Sequence, residues 1–283
     1  MHPTHYRRQK IDGLDVFYRE AGAPEAPAIV LLHGFPTSSH MFRDLIPKLA
    51  DRFHLIAPDY PGSGYSATPD PREFAYTFDH VADVIEQLLV AKRLGSYAIY
   101  MQDFGGPVGF RLATRQPGRV RALVVQNANA YEAGLGSVMK DVVLPPYKNR
   151  TPEAEAKLKT LLERAATESQ YYAGEPDATL VSPDAIEHAQ WGLDRRGNKA
   201  IQLEMLANYG SNLERYPEWQ RYLREHQPPT LIAWGRNDPV FPAAGAEAYR
   251  KDLHRVDLNL LDAGHFALET HCDEIAGLIR RFM

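Results

Sequence analysis

The sequence predicts an α/β fold: a mostly parallel central sheet, helices on both of its faces, and one helical insertion. Three observations carry this. Short, wholly apolar runs of strand length alternate with segments of helical spacing. The runs end in turns rich in Gly, Pro and Asp. The alternation stops after Asn127 and resumes at Thr230, leaving an aromatic-rich, helix-patterned stretch between two strands.

The elements follow in order. Asp12-Gly13 is a hairpin turn signal, and Leu14, Val16 and Tyr18 alternate after it. Ala28-Ile29-Val30-Leu31-Leu32 is apolar throughout, as a parallel strand covered on both faces must be. It ends at His33-Gly34-Phe35-Pro36, and Ser38-Ser39 can cap a helix through Met41, Leu45, Ile46 and Leu49. His54-Leu55-Ile56-Ala57 is the next buried strand, ending in the turn Asp59-Tyr60-Pro61-Gly62-Ser63-Gly64. Residues 78–92 carry helical spacing. Tyr97-Ala98-Ile99-Tyr100 and Arg121-Ala122-Leu123-Val124-Val125 are strands, separated by Gln102-Asp103-Phe104-Gly105-Gly106-Pro107 and a helix. Beyond the insertion, strands return at Thr230–Trp234 and Val256–Leu261. The expected organisation is a core of residues 1–129 and 216–283 with a helical cap at 130–215.

Composition narrows the function classes. The chain has 283 residues, 44% of them hydrophobic, enough to bury a large core. The formal net charge is -4 and no basic stripe exists, which argues against nucleic acid and anionic membranes as partners. The single cysteine, Cys272, excludes an intramolecular disulfide. Residues 1–11 are polar and basic, unlike a signal peptide, and no run of 18 apolar residues occurs. A cytoplasmic location is the expectation. The histidines lack ligand spacing, so neither metal nor cofactor is expected.

The chemistry gathers at three strand ends. Asp103 lies between a buried strand and a helix, with Gly105 and Gly106 letting strand and helix approach closely. Taken alone, such an aspartate can simply cap the helix. A second carboxylate, Asp238, follows the strand at Thr230, and His265 follows the last strand behind Gly264. A parallel sheet puts all three on one edge, the carboxyl edge where ligands bind. The chain has no G-x-S-x-G, and the position where a nucleophilic serine would sit is an aspartate.

With His33-Gly34-Phe35-Pro36, Asp59 to Gly64, Gln102-Asp103-Phe104-Gly105-Gly106, Asp238 and Gly264-His265-Phe266, the sequence resembles α/β-hydrolases of the epoxide hydrolase and haloalkane dehalogenase branch. The resemblance spans nearly the whole chain and is weakest in the insertion. It implies an α/β-hydrolase fold with a catalytic triad: Asp103 as nucleophile, His265 as base and Asp238 as its acid partner. The intermediate would be an alkyl ester of Asp103. Backbone amides of Phe35 and Phe104 would hold the oxyanion. Some dehalogenases of this branch take their acid after the preceding strand, where this chain reads Gln126-Asn127-Ala128-Asn129 without a carboxylate.

Leaving-group chemistry separates the two activities. A halide needs N–H donors, and the resemblance would place a Trp where Phe104 stands. An epoxide leaves as an alkoxide, which a neutral tyrosine can protonate. Tyr209, in Ala207-Asn208-Tyr209-Gly210, matches the segment carrying such a tyrosine, although Gly210 replaces the usual Arg. Tyr171 is the second expected tyrosine, with Tyr147 and Tyr172 as further candidates, and Trp191 is the cap indole that would serve a halide. The leading expectation is an epoxide hydrolase acting with water on a small apolar organic substrate. Hydrolytic dehalogenation of haloalkanes or haloacids is the alternative, and a silent binding module of the same fold is a third.

Overall fold

The computed structural model describes residues 2–283. Its strands are β1 His5–Ile11, β2 Leu14–Ala21, β3 Ala28–Leu32, β4 His54–Pro58, β5 Tyr97–Gln102, β6 Val120–Gln126, β7 Thr230–Gly235 and β8 Val256–Leu261. They form one eight-stranded sheet in the order β1-β2-β4-β3-β5-β6-β7-β8. β1, β2 and β4 pair antiparallel and the remaining pairs are parallel. The hairpin turns where expected: Asp12 (φ 47°) and Gly13 (φ 82°) both adopt left-handed backbone, whose twist matches that of the strands.

Alternation along each strand builds the core on both faces. Val30, Leu32, Ile99, Met101, Leu123, Val125 and Ile232 enter one cluster. Ile29, Leu31, Ala98, Tyr100, Val124 and Leu231 enter the other. The runs Ile29 to Leu32, Ala98 to Met101 and Ala122 to Val125 are apolar without interruption because neither face there meets water.

Helices cover the faces. The helix expected after Ser38 is divided into a 3-10 turn, Ser39–Phe42, capped by the Ser38 hydroxyl, and α1, Leu45–Leu49. Pro47 has no N–H to donate back to residue 43, so one continuous helix would lack that bond. α2 (Phe78–Ala91) and α3 (Gly105–Arg115) pack together in the first cluster.

Between β6 and β7 lie α4 Pro145–Lys148, α5 Pro152–Lys159, α6 Arg164–Tyr172, α7 Pro183–Asp194, α8 Asn198–Ala207 and α9 Gly210–His226, with no strand among them. α4, α5 and α7 each open on proline, which needs no N–H partner there. α9 runs back onto the core: Trp219 stacks on Phe110 of α3 with centroids 5.1 Å apart. Arg111 of α3 also donates to Asn212 Oδ1 at 2.8 Å. The division expected at 215/216 therefore falls inside a single helix. α10 Ala244–Ala248, α11 Ala267–Thr270 and α12 Cys272–Phe282 complete the chain. Among the described residues no helix is long and apolar enough to cross a membrane.

Candidate active site

Asp103 occupies the turn between β5 and α3 with φ 49°, a left-handed conformation that costs a non-glycine residue energy and recurs at functional turns. The turn is tight because α3 must start directly over β3. A Cβ on Gly105 would lie 2.2 Å from the Leu32 carbonyl oxygen. Gly34 is equally constrained: its Cβ would meet Asp103 Cβ at 2.4 Å and Oδ1 at 2.6 Å. The missing side chain lets the following amide reach the carboxylate, and Phe35 N–H donates to Asp103 Oδ1 at 2.6 Å. The Phe104 amide faces the same carboxylate. Both backbone donors expected from the sequence thus converge on Asp103.

His265 and Asp238 join it on the carboxyl edge of the sheet. His265 Nδ1 pairs with Asp238 Oδ2 at 2.7 Å, and its Nε2 lies 3.9 Å from Asp103 Oδ2. All three side chains are buried. Asp238 is held from two further directions, by the Val240 amide on Oδ1 at 2.7 Å and by Asn127 Nδ2 on Oδ2 at 2.8 Å.

Electrostatics poise the two groups. Burial lifts the Asp103 carboxyl above its ordinary range, even though His265 and the Phe35 and Phe104 amides pull it down. For His265 burial alone favours the neutral ring. The charge and hydrogen bond of Asp238, helped by Asp103, outweigh burial and raise its pKa.

Two neighbours escaped the sequence reading. Asn127 follows β6 at φ 43°, and besides Asp238 its amide accepts from Gly235 N–H at 2.9 Å. It stands where some dehalogenases of the resembled branch carry their acid, and steadies Asp238 from there. Its left-handed backbone is not visible in sequence. Gln102 Nε2 lies 3.1 Å from His265 Nε2, a contact between residues 163 apart in the chain.

A cavity of about 130 Å³ opens over Asp103. Phe35 and Phe104 form its floor, Met139, Val143 and Leu206 its apolar wall, and Tyr209 reaches in from the start of α9. Tyr209 is 1% exposed and packs on Phe78, Phe104 and Phe241; its hydroxyl makes no close hydrogen bond among the described residues, and the Tyr216 hydroxyl is its polar neighbour. Burial raises its pKa well above the usual phenol value, with Tyr216 and Asp103 adding to the effect, so the phenol stays protonated.

The other two expected leaving-group residues lie elsewhere, a correction that helix geometry explains. On α6, Thr167 and Tyr171 share the core-facing stripe, whereas Ala166, Ser169 and Gln170 face the cavity. Tyr171 stacks on Phe266 with centroids 4.1 Å apart. On α7 the buried stripe is Ile186, Ala189, Gln190 and Leu193, which puts Trp191 outside, 45% exposed against Tyr65 and His188. Tyr172 is exposed, and Tyr147 packs against Gly210 on the far side of α9's first turn. The remaining indoles do not line the cavity: Trp234 Nε1 donates to Phe241 O at 2.9 Å, and Trp219 is buried against Phe110 with its Nε1 unpaired among the described residues. Asp262, directly after β8, accepts from Asn237 Nδ2 at 3.0 Å. Cys272 opens α12, partly buried, and burial pushes its thiol up to about 12.

The chain is similar to known proteins. A family model described as alpha/beta hydrolase fold matches residues 27–271. The chain is 43% identical over 274 residues to an uncharacterized hydrolase of Saccharomyces cerevisiae, covering 96% of this chain and 94% of that one. It is 30% identical over 267 residues to haloalkane dehalogenase 2 of Mycobacterium tuberculosis, covering 90% and 88%. Among solved structures, Cfl2 of Burkholderia cenocepacia superposes with a TM-score of 0.82 at 22% identity, covering 99% and 95%. Sheet order, the strand-end turns and the matched family model together make this chain a member of the α/β-hydrolase fold family. Within that family it is a hydrolase, with relatives of the haloalkane dehalogenase kind.

Proposed function

We propose that the protein hydrolyses epoxides to vicinal diols through an ester on Asp103. The observation that carries this reading is Tyr209: a buried, protonated phenol lining the same cavity as Asp103 and feeling its charge, with no indole among the residues that line that cavity. An Asp103 carboxylate oxygen attacks an epoxide carbon and the C–O bond breaks. The electron pair goes to the ring oxygen, which takes the Tyr209 proton. His265 then removes a proton from water, and the hydroxide adds to the ester carbonyl. The Phe35 and Phe104 amides, already aimed at Asp103, stabilise the oxyanion. Collapse releases the diol and restores the Asp103 carboxylate, and the proton on His265 returns to Tyr209. The substrate is small and apolar, in keeping with the cavity wall.

The dehalogenase relative favours a second reading, displacement of halide by the same carboxylate. Incubation with styrene oxide and, separately, with short bromoalkanes distinguishes them: diol without bromide is the expected result, and bromide without diol would reverse the ranking. Tyr209→Phe is expected to slow ring opening by roughly 10²–10⁴. Pre-steady-state ester formation measures this, and an unchanged rate would remove Tyr209 from the mechanism.

A pH dependence follows from the same charges. Ester formation requires ionised Asp103, whereas ester breakdown requires neutral His265. Forming the ester removes the Asp103 charge, one of the influences holding the His265 pKa up. Breakdown of the ester should therefore persist to lower pH than the titration of His265 in the free protein suggests. Comparing the pH profile of single-turnover breakdown with the NMR titration of His265 tests this. A breakdown midpoint at or above the free-protein value would contradict it.

A further inference from the structure

His265 has to be held to a fraction of an ångström, yet its position in the chain is a poor place for precision. It follows β8, the edge strand of the sheet, and stands behind Gly264. Asp238 restrains only the imidazole. The backbone of the turn is restrained by the insertion. Glu175, just past α6, accepts Gly264 N–H on Oε1 at 2.8 Å and the Thr270 hydroxyl on Oε2 at 3.1 Å. One half-buried carboxylate thus ties the chain on both sides of His265.

The neighbours of Glu175 fit the same turns. A Cβ on Gly264 would lie 2.2 Å from Ala173 O, so turn and cap backbone are in direct contact. Gly174, at φ 84°, accepts from Asn237 Nδ2 at 3.0 Å, one residue before Asp238. Tyr171 stacks on Phe266, one residue after His265. This segment continues α6, whose Ser169 and Gln170 line the cavity.

We propose that Glu175 is a positioning residue for His265, a latch by which the cap fixes the turn carrying the base. The role rests on the proposed mechanism, in which His265 acts in ester breakdown and takes no part in ester formation. Loss of the latch should therefore slow one half-reaction and spare the other. A purely structural role would slow both.

The test follows styrene oxide in single turnover, reading the ester on the peptide containing Asp103 and the diol released. With Glu175→Ala, ester formation should stay within about twofold of wild type. Breakdown should fall on the order of tenfold to a hundredfold, the size of effect expected when a reacting group is misplaced by an ångström, so ester accumulates. Glu175→Gln keeps an oxygen acceptor for Gly264 N–H and should restore breakdown. If Glu175→Ala does not fold, Thr270→Val removes the Oε2 contact, together with the hydroxyl's contact to His271 Nδ1, leaves the Gly264 bond in place and should give the same split at smaller size. Equal losses in both half-reactions, or breakdown at the wild-type rate in a folded variant, would overturn the latch. Wild-type protein giving neither ester nor diol from styrene oxide would instead remove the proposed reaction, and this role with it.

Discussion

His265→Gln is expected to stop turnover while leaving the first chemical step intact, so that the protein collects as its ester. The argument rests on the two carboxylate oxygens of Asp103. Oδ1 is held by the Phe35 amide at 2.6 Å, and Oδ2 lies 3.9 Å from His265 Nε2. Attack on an epoxide carbon uses a carboxylate oxygen and needs no base. Breakdown needs a proton taken from water, and a glutamine side chain cannot take one at neutral pH. Losing the base of such a triad costs on the order of 10⁶ in turnover. Trypsin should release Asp103 in the peptide Leu94–Arg111, since no Lys or Arg lies between Arg93 and Arg111. After incubation with styrene oxide, that peptide should carry the mass of one epoxide. A variant that turns over at the wild-type rate, with no adduct, would show that His265 is not the base.

Asp103→Asn should abolish both half-reactions and, in the same molecule, raise stability. The amide is close to the carboxylate in shape and can accept Phe35 N–H through its oxygen, but it is a poor nucleophile toward saturated carbon. No adduct and no diol are expected. The stability gain follows from burial. The folded-state pKa of Asp103 is raised, so the folded protein binds its proton more tightly than the unfolded chain does. Between the ordinary value and the raised one, stability falls as pH rises, and above both values the buried charge remains a full penalty. Replacing it by a neutral isostere relieves that penalty, a gain of about 1 kcal/mol in the usual range for relaxing a strained site. The midpoint of thermal unfolding near neutral pH reads this directly. A variant less stable than wild type would mean that the Asp103 charge is better compensated by His265 and the two amides than its burial implies.

The inner strands were legible because both faces of the sheet are covered there, which makes each a largely apolar run, and the edge strand β8 because apolar residues alternate with Asp257 and Asn259. β3 and β8 are read to the residue, and β4 to within one. The triad was legible for a related reason. Parallel strands all point one way, so residues just after them must share an edge, and Asp103, Asp238 and His265 each follow a strand directly. The failures lie in the insertion. Tyr171 and Trp191 were chosen by residue type, but a helical side chain's surroundings depend on which stripe of the helix meets the core. One position of rotation, about 100°, separates buried Gln190 from exposed Trp191 and cavity-lining Gln170 from core-facing Tyr171.

The sequence by itself determined the sheet, the three strand-end residues and the amides beside Asp103, because these depend on local turns and on the direction of parallel strands. Only the tertiary structure decided that Tyr209 alone of the expected cap residues enters the cavity. The same holds for Asn127 and Gln102 touching the acid and the base, and for Glu175 reaching across to the turn of His265. Those contacts join segments 89 to 163 residues apart, and no local pattern records which side chains meet when an insertion folds down onto a sheet.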